Sequence, residues 1–339
     1  MTTNKDSADL PRETAAQASA GQPGSQDAIQ IILDRRSVAF RLRLLSMLVG
    51  RELASHLTEY DITLKHWVVL GCLWQEDGLS VSKLSAILTQ IGGTVSEVLD
   101  RMEEAKLVKR KRSRSDKRVW RVYLLDAGKK LFDILPDAYS KLTEALFKGF
   151  SAQERADFSA FVDQCIANLR PESCSQSPCL QSNLPGEIKQ FLPPHSIGYR
   201  LKVVYLLLAR LFNEMAAPLA ITTPQWHILR CLWREDGLTC SAVSEMVSQM
   251  GGNLTAVLNR LEERELVERR QDPKDKRSFR LYLKPGAQAL FDPLLQIALS
   301  VQAQVFQGIA PEKLNYFSQL VEKSISNLAH NIDGKPVCD

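Results

Sequence analysis

The chain has 339 residues, 45% of them hydrophobic and 24% charged, with a formal net charge of +4. That length suits two cores better than one, the composition is that of a soluble globular protein, and so small a charge does not by itself argue for a nucleic-acid partner. No apolar run reaches 18 residues, no N-terminal apolar segment marks a signal peptide, and seven cysteines lack regular spacing, so a reducing cytoplasm is expected rather than a membrane or an export route.

Residues 1–27 are rich in Ser, Thr, Gln, Ala and Gly, which predicts a disordered tail. A long apolar helix follows over 28–57, then a helix over 64–75 that carries Trp67. The turn "EDGL" leads to a third helix starting near Ser80, and Gly92-Gly93 leads to a fourth over 94–105. In "SDKRVWRVYL", from Ser115, the second half alternates as a strand does and the first half gathers Asp116, Lys117 and Arg118 into a turn. Two short strands flanking that turn are expected, then two closing helices, with Ser151 and Glu154 spaced as a capping box. Residues 171–197 hold five prolines and several serines and read as a linker. Its ~27 residues have a mean span of about 25–30 Å if flexible.

After the linker the chain repeats itself. Trp226 follows Trp67 by 159 positions, and the same offset aligns Cys72 with Cys231, Gly92-Gly93 with Gly251-Gly252, and Asp116-Lys117-Arg118 with Asp275-Lys276-Arg277. About half of the pairs from Trp67 to Leu124 are identical, without a gap. The second copy has predicted helices over 196–217, 224–234, from near Thr239, and over 253–264; Thr223-Pro224 reads as a cap followed by proline at the first helical position. The domains are thus 28–170 and 198–332, with a short tail over 333–339.

Short helices followed by a two-stranded basic hairpin describe a winged helix-turn-helix. The hairpin tip reaches beyond the body of the domain, and cations there suit a groove walled by phosphate. Residues 105–121 hold nine Lys and Arg against one acid, whereas 264–280 hold seven against four. The copies are electrostatically unequal.

The candidate DNA contacts on the wings are Arg112, Arg114, Lys117 and Arg118, and Lys274, Lys276 and Arg277. Asp116 and Asp275 are expected to orient the wing arginines, because a carboxylate beside phosphate is repelled. On the fourth helices Thr94, Ser96 and Asp100, matched by Asn253, Thr255 and Asn259, are short polar groups able to meet base edges or phosphates. N-capping is the competing role for Thr94 and Asn253. Arg101 and Arg260 would contact phosphate or, in the preferred reading, hold the wing through nearby carboxylates. His66, Trp67, Trp226 and His227 stand where the Trp helix would border a ligand pocket, or else serve as core residues. Arg41 and Arg200 would bind an effector carboxylate or brace a helical interface. Cys72 and Cys231 read as core, and Cys174 with Cys179 as a linker pair with no visible activation. No zinc spacing, phosphate loop or repeated nucleophile–base pair appears, so neither cofactor, metal nor enzymatic activity is expected.

Each copy resembles the MarR family of bacterial transcription regulators. The resemblance rests on the Trp helix followed by "EDGL", on "GGTVSEVLDRMEEAKLVKR" from Gly92, on "GGNLTAVLNRLEERELVER" from Gly251, and on the wing Asp-Lys-Arg. It implies terminal helices pairing as a dimer, winged domains straddling double-stranded operator DNA, and a pocket for a small, often aromatic, effector. Two copies on one chain imply a mainly α fold with small β wings, two winged domains on a shared helical bundle, and a pseudo-dimer within one chain. The expected function is a sequence-specific DNA-binding regulator, a repressor released by its effector. The alternative is an interaction or scaffold protein in which one or both copies no longer read DNA, motivated by Glu97 and by the acids Glu265, Glu268 and Asp272 in the second wing.

Overall fold

The structure is a computed structural model that describes residues 37–89, 94–133, 135–170, 184, 188, 191–248 and 254–329. Helix α1 (Val38–Leu57) starts where the Ser37 side chain accepts from the Phe40 N–H at 3.3 Å. Helix α2 (Leu64–Gln75) opens with a capping box between Thr63 and His66. Strand β1 (Leu79–Ser80), helices α3 (Val81–Thr89) and α4 (Val95–Glu104), and strands β2 (Val108–Arg112) and β3 (Trp120–Leu124) complete the winged part. A short α5 (Asp126–Lys130) leads to α6 (Leu135–Leu146) and α7 (Ala152–Leu169), the last capped by Ser151 and Glu154.

The second copy runs through α8 (Ile197–Ala216), α9 (Thr223–Arg234), β4 (Leu238–Thr239), α10 (Cys240–Ser248), α11 (Leu254–Glu263), β5 (Val267–Gln271) and β6 (Phe279–Leu283). It closes with α12 (Pro285–Gln288), α13 (Phe291–Val305) and α14 (Pro311–Ala329). The cap of α9 is Thr222 rather than Thr223: its backbone N–H donates to Gln225 Oε1 at 2.9 Å, and Pro224 falls inside the first turn.

Each wing sheet has three antiparallel strands, in the orders β1-β3-β2 and β4-β6-β5. The third strand was not expected, because two residues are too short to show any alternation. Pairing runs from Val108↔Leu124 to Arg112↔Trp120 in one copy and from Val267↔Leu283 to Gln271↔Phe279 in the other. Val122 and Leu281, central to these ladders, are fully buried and anchor the hairpins to the helices. Gly78 has a φ of +81°, and a Cβ there would meet the Tyr123 ring at 2.7 Å. Only glycine fits that turn.

The first helices of the two copies, α1 and α8, pack directly on each other, and α6, α7, α13 and α14 surround them. One continuous apolar core runs from Val38 to Leu328. The bundle keeps the repeat as a pseudo-twofold. Phe158 and its counterpart Phe317 meet with ring centroids 5.3 Å apart. Asn168 Nδ2 donates to the carbonyls of Val305 and Gln307, both at 2.9 Å, while Asn327 Nδ2 donates to those of Leu146 and Lys148 at 3.2 and 3.0 Å. Every atom of the second set lies 159 positions from its mate in the first.

The end of the expected linker is part of this core and not a free tether. Leu192 is buried, Phe191 packs on Tyr139 with ring centroids 5.5 Å apart, and Gln75 Nε2 donates to the Pro193 carbonyl. The expected tails, the start of the first predicted helix, Gly92, Gly93, Gly251, Gly252, Asn253 and the pair Cys174 and Cys179 lie outside the described residues.

Candidate nucleic-acid interface

Both hairpins present their tips to solvent. Arg112, Arg114, Lys117 and Arg118 are exposed, as are Lys274, Lys276 and Arg277. The turns are closed by backbone hydrogen bonds at matched places: Ser113 N–H to the Val119 carbonyl at 2.8 Å, and Asp272 N–H to the Ser278 carbonyl at 2.9 Å. Asp116 Oδ1 accepts the Arg118 backbone N–H at 2.9 Å, and Asp275 Oδ1 accepts that of Arg277 at 3.0 Å. The orienting carboxylates therefore fix the backbone of the wing arginines, and among the described residues neither guanidinium is in an ion pair. Arg112 braces its own tip, with Nη1 donating to the Lys117 carbonyl at 3.3 Å and its guanidinium 5.2 Å from the centre of the exposed Trp120 ring. Gln271 takes the first role in the second copy, donating to the Lys276 carbonyl at 2.6 Å.

Helices α4 and α11 each bury one stripe, Val98, Leu99 and Met102 in the first and Leu258 and Leu261 in the second, and expose the other. Ser96, Asp100, Thr255 and Asn259 are on the exposed side. Thr94 occupies the N-cap position of α4, and its hydroxyl makes no capping hydrogen bond. Asp100 and Asn259 are already engaged: Asp100 Oδ1 accepts from Arg110 Nη2 at 2.5 Å, and Asn259 Oδ1 from Arg269 Nη2 at 2.7 Å.

Arg101 and Arg260 do not hold the wings. Arg101 pairs with Glu97 one turn back on its own helix at 2.9 Å, and Arg260 is exposed. The wing is tied to the helix by Arg110, whose Nε donates to Glu103 Oε2 at 2.6 Å, and by Arg269, 3.0 Å from Glu262. The carboxylate of Glu103, helped by Asp100 and opposed by burial, moves the balance of Arg110 further toward its charged form. The signal for these ties was present in the repeat, where Glu103 and Glu262, and Arg110 and Arg269, are identical pairs. Arg121 and Arg280 are a second missed pair. Their Nη1 atoms donate to the carbonyls of Gly78 and Gly237 at 2.8 and 2.9 Å, pinning the wing to the turn before α3 or α10.

The residues nominated for an effector pocket separate into four places. Trp67 lines a cavity of about 490 Å³ together with Tyr139, Tyr199 and Lys202. Trp226 and His227 line its pseudo-symmetric mate of about 90 Å³, with Phe40, Arg43 and Arg230. Each cavity lies between the Trp helix of one copy and the first helix of the other. His227 is 7% exposed, and among the described residues neither ring nitrogen has a hydrogen-bond partner. Burial, then Arg43 and Arg230, holds its pKa well below the usual histidine value. His66 is elsewhere, closing the α2 cap with Nδ1 accepting the Thr63 N–H at 3.3 Å. Arg41 and Arg200 are at the interface: Arg41 is 3.0 Å from Glu322 and donates to Ser318 Oγ at 2.8 Å, and Arg200 is 2.8 Å from Asp163 and donates to Ser159 Oγ at 3.0 Å. These are again mates under the 159-residue offset. Cys72 is fully buried, which pushes its thiol up to about 12. Among the described residues no His, Cys, Asp or Glu cluster of metal-binding size occurs, and no single helix is long and apolar enough to cross a membrane.

The MarR family model matches residues 62–120 and 221–279, two segments that start 159 positions apart and that each run from just before the Trp helix through the wing tip. The chain carries two MarR-family domains in tandem. Relatives of these MarR domains include the transcriptional regulator TtmR of Methylorubrum extorquens, 33% identical over 126 residues that make up 36% of this chain and 60% of that one. The regulator MgrA of Staphylococcus aureus is 36% identical over 87 residues, 26% of this chain and 59% of that one. The matches thus span about 60% of the length of these curated relatives. Solved structures with similar chains include wild-type MarR from E. coli in its apo form, at 24% identity and a TM-score of 0.34 over 38% of this chain and 96% of that one. Another is the PcaV regulator from Streptomyces coelicolor, at 24% identity and a TM-score of 0.32 over 38% of this chain and 92% of that one.

Proposed function

We propose that this protein is a sequence-specific double-stranded DNA-binding transcription regulator, a repressor whose grip is released by a small effector. One observation carries the reading: two exposed cationic hairpin tips, each tied to an exposed polar helix, are mounted on one pseudo-twofold bundle. A duplex offers a matching repeat of grooves, so the expected operator has two half-sites about one helical turn apart. The cavities between the Trp helices and the bundle give an effector a place where it would bias the position of the winged parts relative to one another. The matched relatives are named as transcriptional regulators, in keeping with this reading.

The test is binding of the full chain to labelled duplex from the region upstream of its own gene, against shuffled duplex, across a salt series. Affinity for the upstream duplex is expected to exceed that for the shuffled one and to fall with salt, log K dropping by about 0.9 per phosphate contact for each unit of log salt. Equal affinity for the two, or affinity independent of salt, contradicts it. The scaffold reading retains one specific support, the acid-diluted second wing, and predicts that Lys274→Ala/Arg277→Ala leaves DNA affinity intact.

A further inference from the structure

The repeat places the two winged domains in equivalent positions and gives them unequal chemistry. We propose that they divide the work on DNA: the first copy grips phosphate and the second discriminates bases. This rests on the DNA-binding reading above.

The wings diverge first. Lys106, Lys109, Arg112 and Arg114 of the first copy stand where the second has Glu265, Glu268, Gln271 and Pro273. In the second wing carboxylates hold the arginines of the strands: Arg270 pairs with Glu268, and Arg280 with the buried Asp272 at 2.7 Å. Lys284 is 3.2 Å from Glu265. In the first wing Ser113 takes the place of Asp272, so Arg121 faces no carboxylate there. Among the described residues none of Lys109, Lys111, Arg112, Arg114, Lys117 and Arg118 is in an ion pair. Several of them line a hollow of about 610 Å³ along the outside of the hairpin, whose one acid, Asp77, accepts the Leu124 N–H at 2.9 Å. Closely spaced cations without counter-charges attract a polyanion irrespective of its sequence, and the counterions they displace from DNA strengthen the association.

The helices diverge in the opposite sense. The exposed side of α4 carries Glu97 and Asp100; at those positions α11 has Ala256 and Asn259. Two carboxylates on α4 resist close approach to a groove, and Glu97 is engaged with Arg101. On α11 the face around Thr255 and Asn259 has no carboxylate at the matched positions, and the neighbouring Arg260 is exposed. With Asn259 Oδ1 held by Arg269, its Nδ2 still offers donors and the Thr255 hydroxyl offers a donor and an acceptor, whereas a carboxylate offers no donor. The strong electrostatic term therefore sits beside the helix poorly suited to reading, and the reading helix beside the weak one.

The experiment starts by selecting duplexes from a random pool with the full-length wild-type chain. The expected consensus has one informative half-site and one nearly featureless flank. Thr255→Ala/Asn259→Ala is expected to erase the informative half while retaining most of the salt-dependent affinity. Lys109→Ala/Lys111→Ala/Arg114→Ala is expected to keep the consensus and to lower the slope of log K against log salt by up to about 2.7, at ~0.9 per contact. Circular dichroism of each variant controls for folding. A consensus with equally informative halves overturns the division while leaving DNA binding in place, as does a triple variant with an unchanged slope. A wild-type chain that enriches no duplex overturns both readings.

Discussion

Arg110 shows how a single side chain sets the geometry of the first wing. Its guanidinium joins strand β2 to Glu103 and Asp100 on helix α4, so the hairpin and the helix move as one piece. Charge-assisted hydrogen bonds to a partly exposed arginine are worth about 1 kcal/mol after screening. Arg110→Ala is expected to lower the stability by about that amount and to weaken DNA binding by more, because the wing is no longer held to the helix. Thermal denaturation alongside duplex titration checks both. His227 gives a second prediction at this scale. Its pKa is depressed in the folded state, so the unfolded chain takes up a proton first as the pH falls. Its unfavourable contribution is absent above the unfolded value of about 6.5 and grows as the pH drops below it. His227→Val, which installs the residue found at the equivalent Val68, is expected to flatten the loss of melting temperature between pH 7.5 and 5. An unchanged pH profile contradicts this.

The elements were the most legible part of the sequence, and the reason is physical. The Trp helix at 64–75 was read at its observed bounds because a polar N-terminal turn and a terminal "EDGL" bracket a strongly apolar segment. The outgoing wing strand Trp120–Leu124 is legible because its alternation persists for five residues, whereas its partner Val108–Arg112 shows none and follows only from the hairpin it must complete. The capping box at Ser151 and Glu154 is local chemistry and was found with its partners, Ser151 N–H donating to Glu154 Oε2 at 2.6 Å. The two-residue strands β1 and β4, the packed end of the linker and the Arg121 and Arg280 ties depend on residues about 40 or more positions away, and nothing local announces them. The Arg110 and Arg269 ties are short in sequence and show only when the two copies are compared. The pairing of Arg41 with Glu322 spans almost the whole described chain. Ser151→Ala removes the box and is expected to cost about 1 kcal/mol, measured by denaturant titration, with no change in DNA affinity.

At the scale of the molecule the decisive fact is that the helices a dimer would contribute from two chains come from one. Phe158 is fully buried against Phe317 at the centre of the bundle, and residues from both copies share one core. Phe158→Ala is expected to destabilise by about 3–5 kcal/mol, and the two copies are expected to lose structure in a single transition. Because the interface forms within the chain, the melting temperature is expected to stay constant over a hundredfold dilution, whereas an interface between chains would make it fall. Joining the copies also frees them from symmetry. Each wing and each helix has been able to change alone, which is how Glu97 faces Ala256, and Ser113 faces Asp272, across the repeat.

The central claim is that both winged domains of one chain engage one duplex. Hydroxyl-radical footprinting of the full chain on its upstream region tests it most directly. Two protected patches about one helical turn apart are predicted, with stronger backbone protection on the side of the first copy. A single patch the width of one winged domain, or uniform cleavage at saturating protein, would contradict it.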